Sequence, residues 1–316
     1  MESCCRFFSC SPELLRTNVF YLIEERPMQQ QPPFDPEQFK QAQRQAWGRS
    51  ANGLKTWWPV LEEGGQKLSD KLVDLAGVRP GSKVLDVATG IGEPAVTAAR
   101  HVQPNGKVLA TDISPEMLAI ARERAEKLGL QHIIEFRESD AESLKLPDKS
   151  FDAVLCRLGL MFLPNLALAL RIFHDALVSG GKIAAAVWPA LDKVPAINLA
   201  FLTVLKKLNL PPPSLDMPPL HLSDPLALQN ALIKTGFQDV KTENMIMTLR
   251  LDSPDSFTNY HKAVSAPIRA LLAGQTAEKQ NEIWQAVTEA AKSHTNSKEE
   301  VVLDNEVICC VATRAS

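Results

Sequence analysis

The chain has 316 residues, enough to bury a large core, and its 45% hydrophobic and 22% charged residues are ordinary globular values. With 34 basic against 37 acidic side chains the net charge is −3, which argues against the broad basic face of a nucleic-acid reader. No run approaches the ~18 apolar residues that a membrane span needs, so a soluble, cytoplasmic protein is expected. Cys4, Cys5, Cys10, Cys156, Cys309 and Cys310 form neither a C-x-x-C pair nor a zinc-spaced set, so reduced thiols and no metal are expected.

Residues 1–35 read as a disordered extension. They hold only the short apolar patch Val19 to Ile23, too little for a signal-peptide core, and Glu2, Glu13, Glu24 and Glu25 are too acidic for a transit peptide. Met28 is the expected natural start, which an intact mass from the native source would test. After the linker QQQPPFDP, Asp35-Pro36-Glu37 opens a helix with Phe39, Ala42, Ala46 and Trp47, and residues 48–58 add Trp57 and Trp58 before Pro59. A further helix is expected over about residues 66–76, stopped by Gly77, with Pro80-Gly81 turning into the first strand.

The stretch from Lys83 to Pro94, KVLDVATGIGEP, reads as a strand buried on both faces, a tight turn and a helix start. Gly90 and Gly92 permit backbone conformations and close ligand approach that a Cβ would block. The helix over residues 95–102 then points its free amides and positive dipole end at whatever sits over the turn. A regular alternation follows, which signals right-handed crossovers and a parallel sheet. Lys107–Asp112 is the second strand; Ser114 caps a helix with Pro115 in its first turn, running to Leu128 and stopped by Gly129. His132–Phe136 is the third strand, Ala153–Cys156 the fourth, residues 166–178 a helix capped by Ser179-Gly180-Gly181, and Lys182–Trp188 the fifth strand. Gly90, Asp112, Asp140, Arg157 and Trp188 all fall at the carboxyl ends of strands, where open α/β sheets bind ligands.

Beyond Trp188 the pattern loosens. Helices are expected at residues 195–208, 225–234 and 254–297, a proline-rich loop at 211–219, and strands at about 240–251 and 301–312. Two arrangements fit the inserted helices: a lid that shapes a substrate pocket, or a face that packs on a partner subunit in a homodimer. The domain plan is therefore N-terminal helices over the cofactor site (36–76), a core (77–188), a lid insertion (189–224), the end of the sheet (225–253 and 299–316) and a second helical insertion (254–298).

The turn GIGEPA also satisfies the dinucleotide fingerprint, but Asp86, four residues before Gly90, is unhelpful beside a pyrophosphate and suits a ligand with an ammonium and a sulfonium. D-x-A-x-G-x-G after an apolar strand resembles motif I of the class I S-adenosylmethionine-dependent methyltransferases, small-molecule type, and LPDKSFDAVLCRLGLMFLPN resembles the UbiE-like stretch around strand four. The resemblance is strong over residues 78–188 and weak over 225–251 and 300–313. It implies a Rossmann-like doubly wound sheet of about seven strands, the last antiparallel, with helical lid insertions. The cofactor would be S-adenosylmethionine, and the reaction an in-line methyl transfer to O, N or C of a small molecule.

On that reading Asp86, Ala88, Gly90 and Gly92 form the turn, with Ala88 standing where many members have glycine. Asp112, 20 residues after Gly92, is placed to accept from both ribose hydroxyls, and Ile113 and Met117 offer an apolar bed for adenine. The resemblance places Asp140 and Ala141 against the adenine and Arg157 near the methionine part or the substrate, and it folds the aromatic N-terminal helices over the site. No catalytic base is assigned: His174 reads as structural, and His221 and Tyr260-His261 lie in the inserted segments. Arg157-Leu-Gly-Leu160 replaces the tetrapeptide of base-flipping nucleic-acid methyltransferases, which favours a small-molecule acceptor and no nucleic acid. The rivals are an NAD-dependent oxidoreductase, against which stand Asp86, Asp140-Ala141 and the absence from this chain of a Tyr-x-x-x-Lys pair after strand four, and a non-catalytic S-adenosylmethionine-binding protein.

Overall fold

A computed structural model describes residues 34–213 and 218–315. The expected extension and the suggested start at Met28 lie outside the described residues, except for Phe34 and Asp35.

Two helices lead in: α1 (Pro36–Thr56), capped by the Asp35 side chain, and α2 (Trp58–Leu75). The alternating part follows as β1 (Lys83–Val87), α3 (Ala95–Val102), β2 (Lys107–Asp112), α4 (Pro115–Lys127), β3 (Ile134–Glu138) and β4 (Phe151–Arg157). Then come α5 (Leu166–Ala176), β5 (Leu177–Val187), α6 (Pro195–Leu208), α7 (Pro225–Lys234), β6 (Phe237–Leu251), α8 (Pro254–Val264), α9 (Ala266–Leu272), α10 (Ala277–Ala291) and β7 (Val301–Arg314). The seven strands form one sheet in the order β3-β2-β1-β4-β5-β7-β6. Strands β1 to β5 run parallel, and β7 is antiparallel to both β5 and β6. This is the expected Rossmann-like sheet with an antiparallel last strand.

Successive side chains of a strand point to opposite faces, and here both faces are covered. Leu85 and Val87 join a core with Leu170 and Phe173 of α5 and Leu228 of α7, whereas Val84 joins one with Leu68 and Leu72 of α2 and Ala95 of α3. Helix α2 thus forms part of a layer against the sheet, while α1 packs on α4 and α8 beyond the sheet's edge.

The last two strands outgrow the sheet. Val187, the end of β5, pairs with Ile308, so residues 301–307 of β7 run past β5 and pair with β6, from Leu251↔Val301 to Met245↔Val307. Because β5 runs toward its carboxyl end at Val187, this β6–β7 extension rises on the carboxyl side of the sheet. A third core forms around it, with Leu249, Leu251, Val301 and Leu303 packed against Phe201 of α6, Phe257 of α8 and Val287 of α10.

Several boundaries differ from the sequence reading. Pro59 lies in the first turn of α2 rather than ending the aromatic stretch, since its missing amide is no loss there. Ser179-Gly180-Gly181 does not cap α5: that helix ends at Ala176, and the glycines lie inside β5 at a register irregularity opposite Phe151 to Ala153. Residues 254–297 are three helices and a short 3-10 turn, with β7 continuing to Arg314.

Candidate cofactor site

The turn after β1 is built from left-handed backbone. Ala88, Gly90 and Gly92 have φ of 55°, 57° and 107°. Glycine adopts such values freely, whereas Ala88 carries a steric cost of about 1 kcal/mol. The Gly90 amide donates to Asp112 Oδ2 at 2.8 Å and the Ser114 amide to Asp112 Oδ1 at 2.9 Å. Asp112 therefore ties the β1 turn to the β2 turn, and each oxygen keeps an acceptor position for a ligand hydroxyl. Burial pushes its carboxyl up to about 6, against the pull of the amides.

Asp86 is the contrast. It is fully buried as the next-to-last residue of β1, and neither carboxylate oxygen has a hydrogen-bond partner among the described residues. Burial pushes its carboxyl up to about 8, opposed by the Thr89 hydroxyl, the Arg157 guanidinium and the Ala95 backbone, which face it without meeting hydrogen-bond geometry. A buried carboxylate without donors costs several kcal/mol unless a ligand supplies them, and an ammonium does so. Arg157 ends β4, partly buried, and donates to the Ser69 hydroxyl at 2.9 Å and the Gly65 carbonyl at 3.3 Å, both on α2.

At the other end of the site, Met117 is buried with Ile91 and Ile120, and Ile113 is partly buried beside Asp112. Trp47 of α1 packs on this cluster and sets its ring edge-on to Phe162, 5.3 Å away in the 3-10 turn Leu160–Phe162 that follows β4. Helix α1 thus reaches from the β2 side across to the β4 side. Trp57 instead meets Tyr260, and Trp58 stacks under the Arg124 guanidinium at 3.5 Å. Arg124 in turn donates to the Ile91 carbonyl at 2.8 Å and faces Glu93 at 3.5 Å, bracing the turn from below.

Asp140 sits two residues past β3. Its Oδ1 accepts from the Glu142 amide at 2.9 Å, and its Oδ2 accepts from Lys40 Nζ of α1 at 2.8 Å. Lys40 also reaches Glu142 at 3.4 Å, and Arg44 pairs with Glu138 at 2.5 Å. Burial lowers the Lys40 pKa, and its bonds to Asp140 and Glu37 more than offset this. Ala141 is buried beneath. Lys40, Arg44, Glu93 and Arg124 were not singled out from sequence: they act across 30 to 100 residues, and no local spacing announces them.

The histidines separate. His174 lies on α5 beside Asp175 and Phe237, at the amino edge of the sheet, away from the turn. His221 lies in the 3-10 turn Leu220–Leu222, which touches the turn after β4; burial lowers its pKa, and its Nδ1 has no partner. His261 is buried on α8. Among the described residues no group of acids, histidines and cysteines could hold a metal ion, and Cys156, Cys309 and Cys310 are buried free thiols.

This geometry defines an open α/β sheet with a candidate ligand site at the carboxyl ends of β1, β2 and β4. A family model described as "Methyltransferase domain" matches residues 84–181. The ubiquinone/menaquinone biosynthesis C-methyltransferase UbiE of Pseudomonas putida is 38% identical over 125 residues, covering 39% of this chain and 49% of the relative. The UbiE of Ectopseudomonas oleovorans is 38% identical over 124 residues, 39% of this chain and 73% of the relative. Among solved structures, YcgJ of Bacillus subtilis superposes with a TM-score of 0.51 at 18% identity, over 79% of this chain and 99% of that one. A Haemonchus contortus phosphoethanolamine N-methyltransferase superposes with a TM-score of 0.52 at 18% identity, over 84% of this chain and 58% of that one, and is itself bound to S-adenosylhomocysteine. The chain belongs to the class I S-adenosylmethionine-dependent methyltransferase family. It spans about half the length of the first UbiE relatives it matches.

The residues present fit the family's cofactor. Asp86 has two orphaned oxygens for an ammonium, Asp112 has free acceptor positions for ribose hydroxyls, and Met117 with Ile91 offers an apolar surface for a ring. Asp140 is engaged by Lys40, so an adenine amine would share or displace that bond.

Proposed function

We propose that the protein transfers a methyl group from S-adenosylmethionine to a small-molecule acceptor by in-line displacement. The observation that carries the reading is the pair of buried acids flanking the glycine turn, Asp112 held by two amides and Asp86 held by none. Bound there, the cofactor supplies an electrophilic methyl on a sulfonium. The chain's own residues bind it through Asp86, Asp112 and the turn, orient it against Met117 and Ile91, and exclude water with α1 and Trp47. Holding two reactants in line is a large effect, worth about 7–11 kcal/mol in well-aligned intramolecular systems. The relatives are named as carbon methyltransferases, which supports an acceptor with a nucleophilic carbon. The inserted helices bury Phe257, Ile268 and Val287 against the chain's own β6–β7 extension, which favours a lid over a homodimer face. Among the described residues no helix is long and apolar enough to cross a membrane. That agrees with a cytoplasmic enzyme taking a dissolved acceptor.

Calorimetric titration with S-adenosylhomocysteine and, separately, NADH tests the reading. Micromolar binding of S-adenosylhomocysteine alone is expected, with at least a hundredfold loss in Asp112→Ala. Binding of NADH alone would replace this reading with an oxidoreductase.

A further inference from the structure

A cavity of about 700 Å³ lies at the end of the sheet opposite the cofactor turn. It is walled by the starts of β1 and β2, by β3 and the turn that leads into it, and by Pro147, Ser150 and Phe151. Lys83 opens β1 and Val87 closes it, so at about 3.3 Å per residue the cavity lies about 13 Å below the turn.

The cavity exists because one connection is bare. The crossover from β3 to β4, residues 139–150, holds no helix, whereas α5 follows β4 on the same face. Register puts Lys83, Lys107, Leu109, Glu135 and Arg137 on the face that carries Leu85. Leu144 and Leu146 of the bare crossover join the core around Leu109, and the cavity opens beside them toward the amino ends of the strands. Leu109 and Phe151 form its apolar floor, 8% and 9% exposed.

Its charges are unbalanced. Lys83 and Lys107 are register partners on parallel strands about 4.8 Å apart, and like charges side by side disfavour a sheet. Among the described residues no acid pairs with either ammonium: Lys107 Nζ donates to the neutral His132 carbonyl at 2.6 Å, and Lys83 Nζ has no partner. Asp152, beside Lys83 in register, takes the Lys83 amide on Oδ2 at 2.8 Å instead. Glu135 pairs with Arg137 at 2.7 Å. Two adjacent positive charges are therefore left uncompensated in a chain whose net charge is −3.

The geometry points to a second ligand site here, for a small phosphorylated molecule whose phosphate straddles Lys83 and Lys107 and whose organic part rests on Leu109 and Phe151. A phosphate dianion matches two ammoniums in charge and has oxygens for both, whereas a carboxylate brings one charge. The volume is that of ordinary small-molecule sites. The site is separate from the cofactor turn and does not depend on the methyltransferase reading.

The test titrates the full chain with phenyl phosphate, using phenol, benzoate and inorganic phosphate as controls. Calorimetry should show each control binding at least tenfold more weakly than phenyl phosphate. Lys83→Gln and Lys107→Gln should each weaken phenyl phosphate at least tenfold, and Lys234→Gln, an exposed lysine at the end of α7, by less than twofold. In the wild type the amide signals of Val108 and His132 should shift on adding phenyl phosphate while those of Gly90 and Gly92 stay, a readout independent of whether any variant folds. The affinity should be the same within twofold with and without S-adenosylhomocysteine. Phenol binding as tightly as phenyl phosphate, equal losses in all three variants, shifts at Gly90 and Gly92 in place of Val108 and His132, or competition with S-adenosylhomocysteine would overturn the inference.

Discussion

The cofactor turn and the inserted helices each bury a titratable side chain without a partner, and the two respond to pH in opposite directions. Asp86 has a folded pKa pushed up to about 8 from an ordinary 3.8. Between those values the folded chain holds a proton that the unfolded chain has released, so stability falls as pH rises from about 4 to about 8. His261 is pushed down to about 4 from 6.5, by burial against a weaker opposing pull from the Ala196 backbone. Here the unfolded chain takes the proton first, so stability is full above 6.5 and falls as pH drops toward 4. The difference teaches what each region buries: the turn an acid that stays protonated until a cation reaches it, the inserted helices a base that stays neutral.

The largest expected effect separates the two regions. Relative to wild type, Asp86→Asn should gain on the order of a few kcal/mol of unliganded stability between pH 5 and 8, with most of the gain at the alkaline end. His261→Leu should flatten the acid limb, an effect of about 2–3 kcal/mol between pH 7 and 4. Thermal melts across this range check both. A wild-type and an Asp86→Asn curve that run parallel from pH 5 to 8 would break the comparison, because Asp86 would then be charged or solvated already. Adding S-adenosylhomocysteine at pH 8 should stabilise wild type more than Asp86→Asn.

How much of this was legible in the sequence depends on whether the signal is local. α3 and β2 have the expected bounds, and β1 falls inside the expected strand-turn-helix stretch, because its apolar Val84, Leu85 and Val87 give way to a glycine turn. Helix starts with an Asp or Ser cap before a proline were equally readable: the side chains of Asp35, Ser114 and Asp224 each accept from amides of the first turn. Register was not readable. β3 starts two residues later than expected because His132 and Ile133 turn into the strand, where Ile133 accepts from Val108. Nothing local says that β7 outruns β5 by seven residues, yet that overhang carries the core on which the inserted helices pack. Lys40 was hidden for the same reason: its partner Asp140 is 100 residues away.

A smaller effect sharpens the link between the two regions. Helix α1 joins them, and Gly53 is where it passes α8: a Cβ there would stand 2.3 Å from the Ala263 carbonyl oxygen. Backbone cannot step aside as a flexible side chain can. Gly53→Ala should cost about 2–3 kcal/mol by forcing the helices apart. Arg269 would be disturbed with them, since it bonds Ser50 of α1 and the Ala263 carbonyl of α8 at 2.7 Å each. A lower melting temperature with faster amide exchange in both helices is expected. Loss confined to one helix would mean that the turn and the inserted helices are coupled by another route.

The smallest effect lies in the turn itself. Ala88 holds a left-handed φ of 55°, and its Cβ is directed at Gly159: a Cβ added to Gly159 would lie 2.6 Å from it and 2.8 Å from Cys156 Sγ. Ala88→Gly relieves about 1 kcal/mol of backbone strain but gives up the methyl contact and frees the unfolded chain, so the net gain should be about 0.5 kcal/mol or less. Gly159→Ala alone should destabilise, because the new methyl meets the Ala88 methyl. In the Ala88→Gly background part of that loss should return, and the remainder should reflect Cys156. Denaturation of the two single variants and the double variant measures the coupling. Strict additivity would show that Ala88 and Gly159 do not share this space, and that the alanine in the turn is tolerated for another reason.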